Sequence, residues 1–141
     1  MSPLFKKLNY KNQQNIVVIN APKSFKIETD LMQPFTKIIT KIITNANNTK
    51  SIAFILIFTT QLTQVEAAAI HILPKLNTDA VLWFCYPKQT SKKYTCNFNR
   101  DNGWASLAAL NYQPVRMVAI DHNWSALRFK QIANMANIAR N

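Results

Sequence analysis

The sequence predicts a three-layer α/β domain built on a mostly parallel six-stranded sheet that ends in an antiparallel hairpin. Three observations lead there. First, β-branched apolar runs occupy residues 16–19 (IVVI), 52–59 (IAFILIFT) and 80–86 (AVLWFCY). Unbroken apolar runs of this length mark strands covered on both faces. Second, Leu62, Val65, Ala69, Ile72, Leu73 and Leu76 recur at helical spacing between the last two runs. They form one buried stripe, so strand, helix and strand make a right-handed crossover unit. Third, the short turn Asp121-His122-Asn123-Trp124 joins two strand-like segments, residues 115–120 and 125–130. A connection that short cannot return the chain to a parallel partner, so it closes a hairpin.

The elements follow in order. Residues 1–14 read as an extension ahead of the domain, residues 15–130 as the domain, and residues 131–141 as a helical or frayed tail. The first strand stops at Asn20-Ala21-Pro22, and a short helix is expected over residues 24–31, closed before Pro34. Residues 37–44 carry Ile38, Ile39, Ile42 and Ile43; a strand is expected, although the paired isoleucines also suit an amphipathic helix. The helix over residues 61–76 has Thr60 as its N-cap, or Thr63 with Glu66 as a capping box, and Pro74 ends or kinks it. A polar loop over residues 88–100 precedes a short helix opened by Asp101, with Trp104, Leu107, Ala108 and Asn111 on one side. Pro114 then introduces the hairpin.

Composition narrows the function classes. A chain of 141 residues that is 48% apolar suits one domain with one core. Seventeen Lys and Arg against six acids give a net charge of +11, which attracts polyanions such as nucleic acid. The bases are scattered from Lys6 to Arg140, which argues against a dedicated binding arm. Cys85 lies in an apolar run and Cys96 in a polar stretch, with no second close cysteine or histidine cluster. Zinc spacing is absent, and free thiols in a reducing compartment are expected. The amino terminus has a basic pair without an apolar stretch after it, so no secretory signal is read there. The most apolar run is far shorter than the roughly 20 residues a membrane span needs. A cytoplasmic protein without membrane contact is expected.

Several segments resemble a known pattern. They are Asn20-Ala21-Pro22, Leu82-Trp83, Tyr86-Pro87-Lys88, Ser91-Lys92-Lys93, Asn99-Arg100-Asp101 with Gly103-Trp104, Val118-Ala119-Ile120-Asp121, and Trp124-Ser125-Ala126-Leu127-Arg128. The order of elements is similar to the carboxy-terminal half of Rossmann-like methyltransferases. More closely, the chain resembles a family of small uncharacterised bacterial proteins with a minimal Rossmann-like, methyltransferase-like domain. The resemblance spans residues 15–130 and is dense from Val81 onward. It implies a strand order of 2-1-3-4-6-5 and carries no activity with it, because a fold does not fix a function.

The chemistry can be weighed residue by residue. Nucleotide and methyl-donor sites in this architecture need glycines where the first strand turns, so that backbone approaches ligand. Here that turn reads Asn20-Ala21-Pro22-Lys23, and the one glycine, Gly103, is far away. No cofactor is expected. His71 falls in the predicted helix and His122 in the hairpin turn, and no nucleophile elbow presents a serine. The remaining candidate is the loop YPKQTSKKYTCNFNRD, leaving the carboxyl end of a central strand, where open α/β sheets bind ligands. Lys88, Ser91, Lys92, Lys93, Arg100 and Asp101 are its candidate anion-binding residues, with the Asp101 helix supplying free N–H groups. The competing reading is a solvated basic loop whose Asp101 caps its own helix. Three classes therefore stay open. A non-catalytic binding module for an anionic small molecule leads, followed by a nucleic-acid-associated protein. An enzyme with an unconventional, degenerate methyltransferase-like site is third.

Overall fold

The computed structural model describes residues 1–42, 51–98 and 102–132. The apolar runs form the centre of one sheet. Its strands are β1 (Asn15–Ile19), β2 (Lys37–Ile39), β3 (Ile52–Phe58), β4 (Leu76–Pro87), β5 (Tyr112–Ala119) and β6 (Trp124–Gln131), in the order β2-β1-β3-β4-β6-β5. That order coincides with the one the resemblance implies. β2, β1, β3 and β4 pair in parallel, with Val17 opposite Ile55 and Ile55 opposite Leu82. β6 runs antiparallel to both β4 and β5. The sheet is therefore mixed rather than mostly parallel, because β6 returns through the tight turn after β5 and inserts beside β4.

Alternation along the central strands sends side chains to two opposite layers. Ile16, Val18, Phe54, Leu56, Phe58, Val81 and Trp83 pack with residues of α1 (Pro3–Lys7) and α2 (Lys26–Met32). Val17, Ile55, Ile57, Leu82 and Phe84 pack with α3 (Leu62–His71) and α4 (Ala105–Ala108). Each fully buried Ile, Leu or Phe contributes about 1.5–3 kcal/mol, so β3 and β4 dominate the stability. Residues 1–14, expected as an extension, are part of this packing: Phe5, Leu8 and Tyr10 are buried in the first layer. The Trp83 indole donates to the Leu8 carbonyl at 2.8 Å and pins the segment to β4.

Several expectations shift in detail. α3 stops at His71, and Leu73–Lys75 form a 3-10 turn in which Pro74 has no amide to continue the helix. Leu76 is already a strand residue opposite Ile52, so β4 begins well before residue 80. Its register then shifts, and Asn77, Thr78 and Asp79 stand exposed before Val81 meets Phe54. The cap of α3 is neither Thr60 nor a Thr63–Glu66 pair but Gln61, in a reciprocal box with Gln64. The Gln64 side chain accepts from the amides of Thr60 and Gln61, and the Gln64 amide donates to the Gln61 carbonyl. Pro114 lies inside β5 rather than before it, on the edge strand where a missing N–H is tolerated, and the pairing slips between Pro114 and Arg116. β2 is shorter than expected, and residues 43–44 of that predicted strand fall outside the described residues, as do residues 133–141 of the tail.

With one glycine in the chain, left-handed backbone falls to asparagine. Asn9, Asn12, Asn20 and Asn111 have φ of 70, 64, 58 and 66°. Asparagine tolerates this region better than other residues with a Cβ. Asn9 closes α1 in a paired motif in which its amide reaches the Lys6 carbonyl and the Tyr10 amide reaches that of Phe5.

Candidate functional site

β4 leaves the sheet at Tyr86 and Pro87, beside the β6 residues Ser125 and Trp124. The loop that follows is fixed at three places. At its start, the Lys88 amide donates to the Asn123 carbonyl at 2.8 Å, and Ser91 Oγ donates to Asn123 Oδ1 at 2.9 Å. Ser91 Oγ also accepts from the amides of Lys93 and Tyr94, which forms a compact turn. In its middle, the Tyr94 ring lies 5.0 Å from Trp124, itself edge-on to Phe58 at 5.2 Å. At its end, Asn97 Oδ1 accepts from the Leu62 amide at 2.7 Å, and the Asn97 amide donates to the Thr60 carbonyl. The loop thus satisfies a free donor at the start of α3 and closes over the sheet.

Phe98 completes the closure by packing edge-on to Trp104 at 5.3 Å and against Tyr86 at 6.3 Å. Gly103 is needed there for space: a Cβ would collide with the Phe98 ring, and no left-handed φ is involved. Between loop and sheet lies a cavity of about 750 Å³. Tyr86, Phe98 and Met117 give it apolar walls, and Lys88, Thr95 and Ser125 give it polar ones. Lys88 is the one charged side chain among the described residues that line it.

The predicted site residues divide. Lys88 and Ser91 reach the cavity wall, half-buried. Lys92 and Lys93 are exposed and do not line it; the Lys93 ammonium sits over the Tyr94 ring, 5.6 Å from its centre. Arg100 and Asp101 lie outside the described residues. The helix expected to open at Asp101 begins at Ala105 and is four residues long, so it offers no aligned N-terminal dipole to the site. Ser91 is occupied in holding its turn. Sequence reasoning missed Met117, Ser125 and Asn97. The first two arrive from the hairpin through the register that sets Ser125 opposite Tyr86, and no local pattern announces that pairing.

The three tryptophans are packing residues. Trp83 is wholly buried, Trp104 anchors α4 against Phe84 and Phe129, and Trp124 closes the hairpin against Phe58. His71 is exposed at the end of α3, and His122 is exposed in the turn. Cys85 and Cys96 are both unpaired. At the opening after β1, Asn20 supplies the left-handed turn, and the Phe25 amide donates to the Pro22 carbonyl. The backbone conformation expected of glycine is present there, but with a side chain attached.

No family model matches the sequence, and no curated protein matches it. Solved structures are similar in fold. A SAM-dependent methyltransferase from Aquifex aeolicus shares 9% identity over 89% of this chain and 86% of its own, with a TM-score of 0.60. The N-methyltransferase NodS from Bradyrhizobium japonicum shares 12% over 91% of each chain, with a TM-score of 0.55. A protein in the NADB-Rossmann superfamily from Streptococcus agalactiae shares 13%, covering 93% of this chain and 68% of its own, with a TM-score of 0.56. At such identity the likeness is one of architecture: the chain has a Rossmann-like α/β fold with a mixed six-stranded sheet, the fold of SAM-dependent methyltransferases.

Proposed function

We propose that the protein is a binding module for a small molecule with one anionic group and an apolar body, held in the cavity at the carboxyl end of β4. The observation that carries this reading is a cavity of about 750 Å³ with Lys88 as its charged wall residue. Its size falls within the range of roughly 300–1,000 Å³ typical of ligand pockets. Its position is the strand edge at which open α/β sheets take ligands. The aromatic rings of Tyr86 and Phe98 suit a flat apolar body, and the Lys88 ammonium meets a carboxylate or phosphate as a point charge.

Calorimetric titration with a panel of aryl carboxylates and aryl phosphates tests this. Lys88→Ala is expected to weaken the best binder at least about tenfold. Lys92→Ala, whose side chain is outside the cavity, is expected to bind as the unaltered protein does. Equal losses in the two variants, or none in Lys88→Ala, would remove the reading.

A second reading is a methyl-donor enzyme of unconventional site. It rests on the fold shared with methyltransferases and on the left-handed Asn20 at the first strand's turn. Heat evolved on titrating S-adenosylmethionine would favour it, and a flat trace would end it. The side chains at Asn20 and Ala21 lead us to expect the flat trace.

A further inference from the structure

The middle of the β5–β6 pair carries a charge arrangement that the described residues do not neutralise. The β5–β6 register sets Arg116 directly opposite Arg128, with Trp83 of β4 next in line. Directly opposed residues share a face with Cβ atoms about 4.5–5.5 Å apart, where like charges are unfavourable. Among the described residues no salt bridge to an acid relieves them, and the ion pair present is Lys26 with Asp30, on α2. Arg128 Nε is buried without a hydrogen-bond partner. Burial first, and the Arg116 charge second, hold the Arg128 guanidinium below its usual proton affinity. Both features describe a cation pair lacking its counterion.

A cleft borders Arg128, though Arg116 does not line it. Arg128 and Lys130 line this cleft of about 620 Å³ where β4 begins, with Tyr112 opposite and Asp79 as the acid on its wall. Asp79 is exposed and forms no ion pair among the described residues. We propose that Arg116 and Arg128, set opposite each other by the β5–β6 register, jointly bind a phosphate group. Two guanidinium forks present several N–H donors to the oxygens of one phosphate, an arrangement that monodentate lysines do not match. The bound anion would turn the opposed charges from a liability into an attraction. The pair lies on the strand face opposite Met117 and Leu127, and neither arginine lines the Lys88 cavity.

The experiment titrates inorganic phosphate by calorimetry and a labelled single-stranded oligothymidylate by anisotropy, both at low ionic strength. Arg116 is exposed on an edge strand, so Arg116→Gln keeps the fold, which circular dichroism verifies. Arg116→Gln is expected to weaken phosphate binding at least about tenfold, and Lys92→Ala, which lines neither the cavity nor the cleft, to leave it unchanged. If the oligonucleotide also binds and Arg116→Gln lowers its salt slope by about one, the phosphate belongs to a nucleic-acid backbone. If only inorganic phosphate responds, the ligand is a small phosphate. Unaltered phosphate and oligonucleotide binding in Arg116→Gln, or no binding of either probe, overturns the proposal. Loss in Lys88→Ala with none in Arg116→Gln overturns it too, while leaving the cavity reading intact.

Discussion

Cys85 sits in the middle of β4 with its side chain wholly buried, and burial pushes its thiol well above the ordinary value of about 8.5. Cys96 is half-buried on the cavity wall; burial raises it too, and a hydrogen bond with the Phe98 backbone pulls it partly back. The thiolate is the reactive form, so access and charge act together. Ellman's reagent at mildly alkaline pH is expected to modify Cys96 alone in the native protein and Cys85 only in denaturant. Linkage gives the pH dependence. Below about 8.5 both folded and unfolded chains carry the neutral Cys85 thiol, and its contribution is fully present. As pH rises above that value the unfolded chain ionises while the folded one resists, so stability is lost. Urea midpoints measured between about pH 8 and 9.5 are expected to fall in the unaltered protein and to fall less in Cys85→Ala.

α1 is five residues long, too short to persist by itself, and its stability comes from the sheet beneath it. Ser2 caps it by accepting from the Phe5 amide, and Asn9 closes its far end. The decisive tie is the bond from Trp83 to the Leu8 carbonyl. Trp83→Phe keeps a ring in the core but leaves that buried carbonyl without its donor, at a cost of about 1–3 kcal/mol. Chemical denaturation is expected to show that loss. Hydrogen exchange is expected to show faster opening of residues 3–10 than of β3, since the weakened tie is local. The same logic explains why this element escaped the sequence reading. Met1 to Tyr10 show no long apolar period, and the two residues that matter, Phe5 and Leu8, look like isolated surface hydrophobes until a sheet face is there to receive them.

At the scale of the whole molecule, the sheet needs both of its covering layers. Removing residues 1–10 would strip Phe5, Leu8 and Tyr10 from Phe54 and its neighbours in the first layer. Large core side chains are worth about 2–5 kcal/mol each, against a total stability of about 5–15 kcal/mol. A chain starting at Lys11 is therefore expected to lose cooperative thermal unfolding and to bind apolar dyes. A sharp calorimetric transition close to that of the full chain would contradict this. The two sites proposed above also belong to this scale. The loop cavity borrows Met117 and Ser125 from the hairpin, and the phosphate site exists only because the β5–β6 register opposes arginines from its two strands.

Apolar patterning was enough to read the central strands, the α3 crossover, the closing hairpin and the absence of glycine at the first turn. Each rests on interactions within a few residues, where side-chain period and backbone sterics act locally. Lys88 was legible for the same reason, as the first base past a central strand. The place of β6 between β4 and β5 came with the resemblance, whereas the tertiary structure alone decided the role of residues 3–10 and the exclusion of Lys92 and Lys93 from the cavity. It also decided the meeting of Arg116 with Arg128. Those outcomes depend on which distant surfaces bury one another, and no single stretch of chain encodes its partner's register.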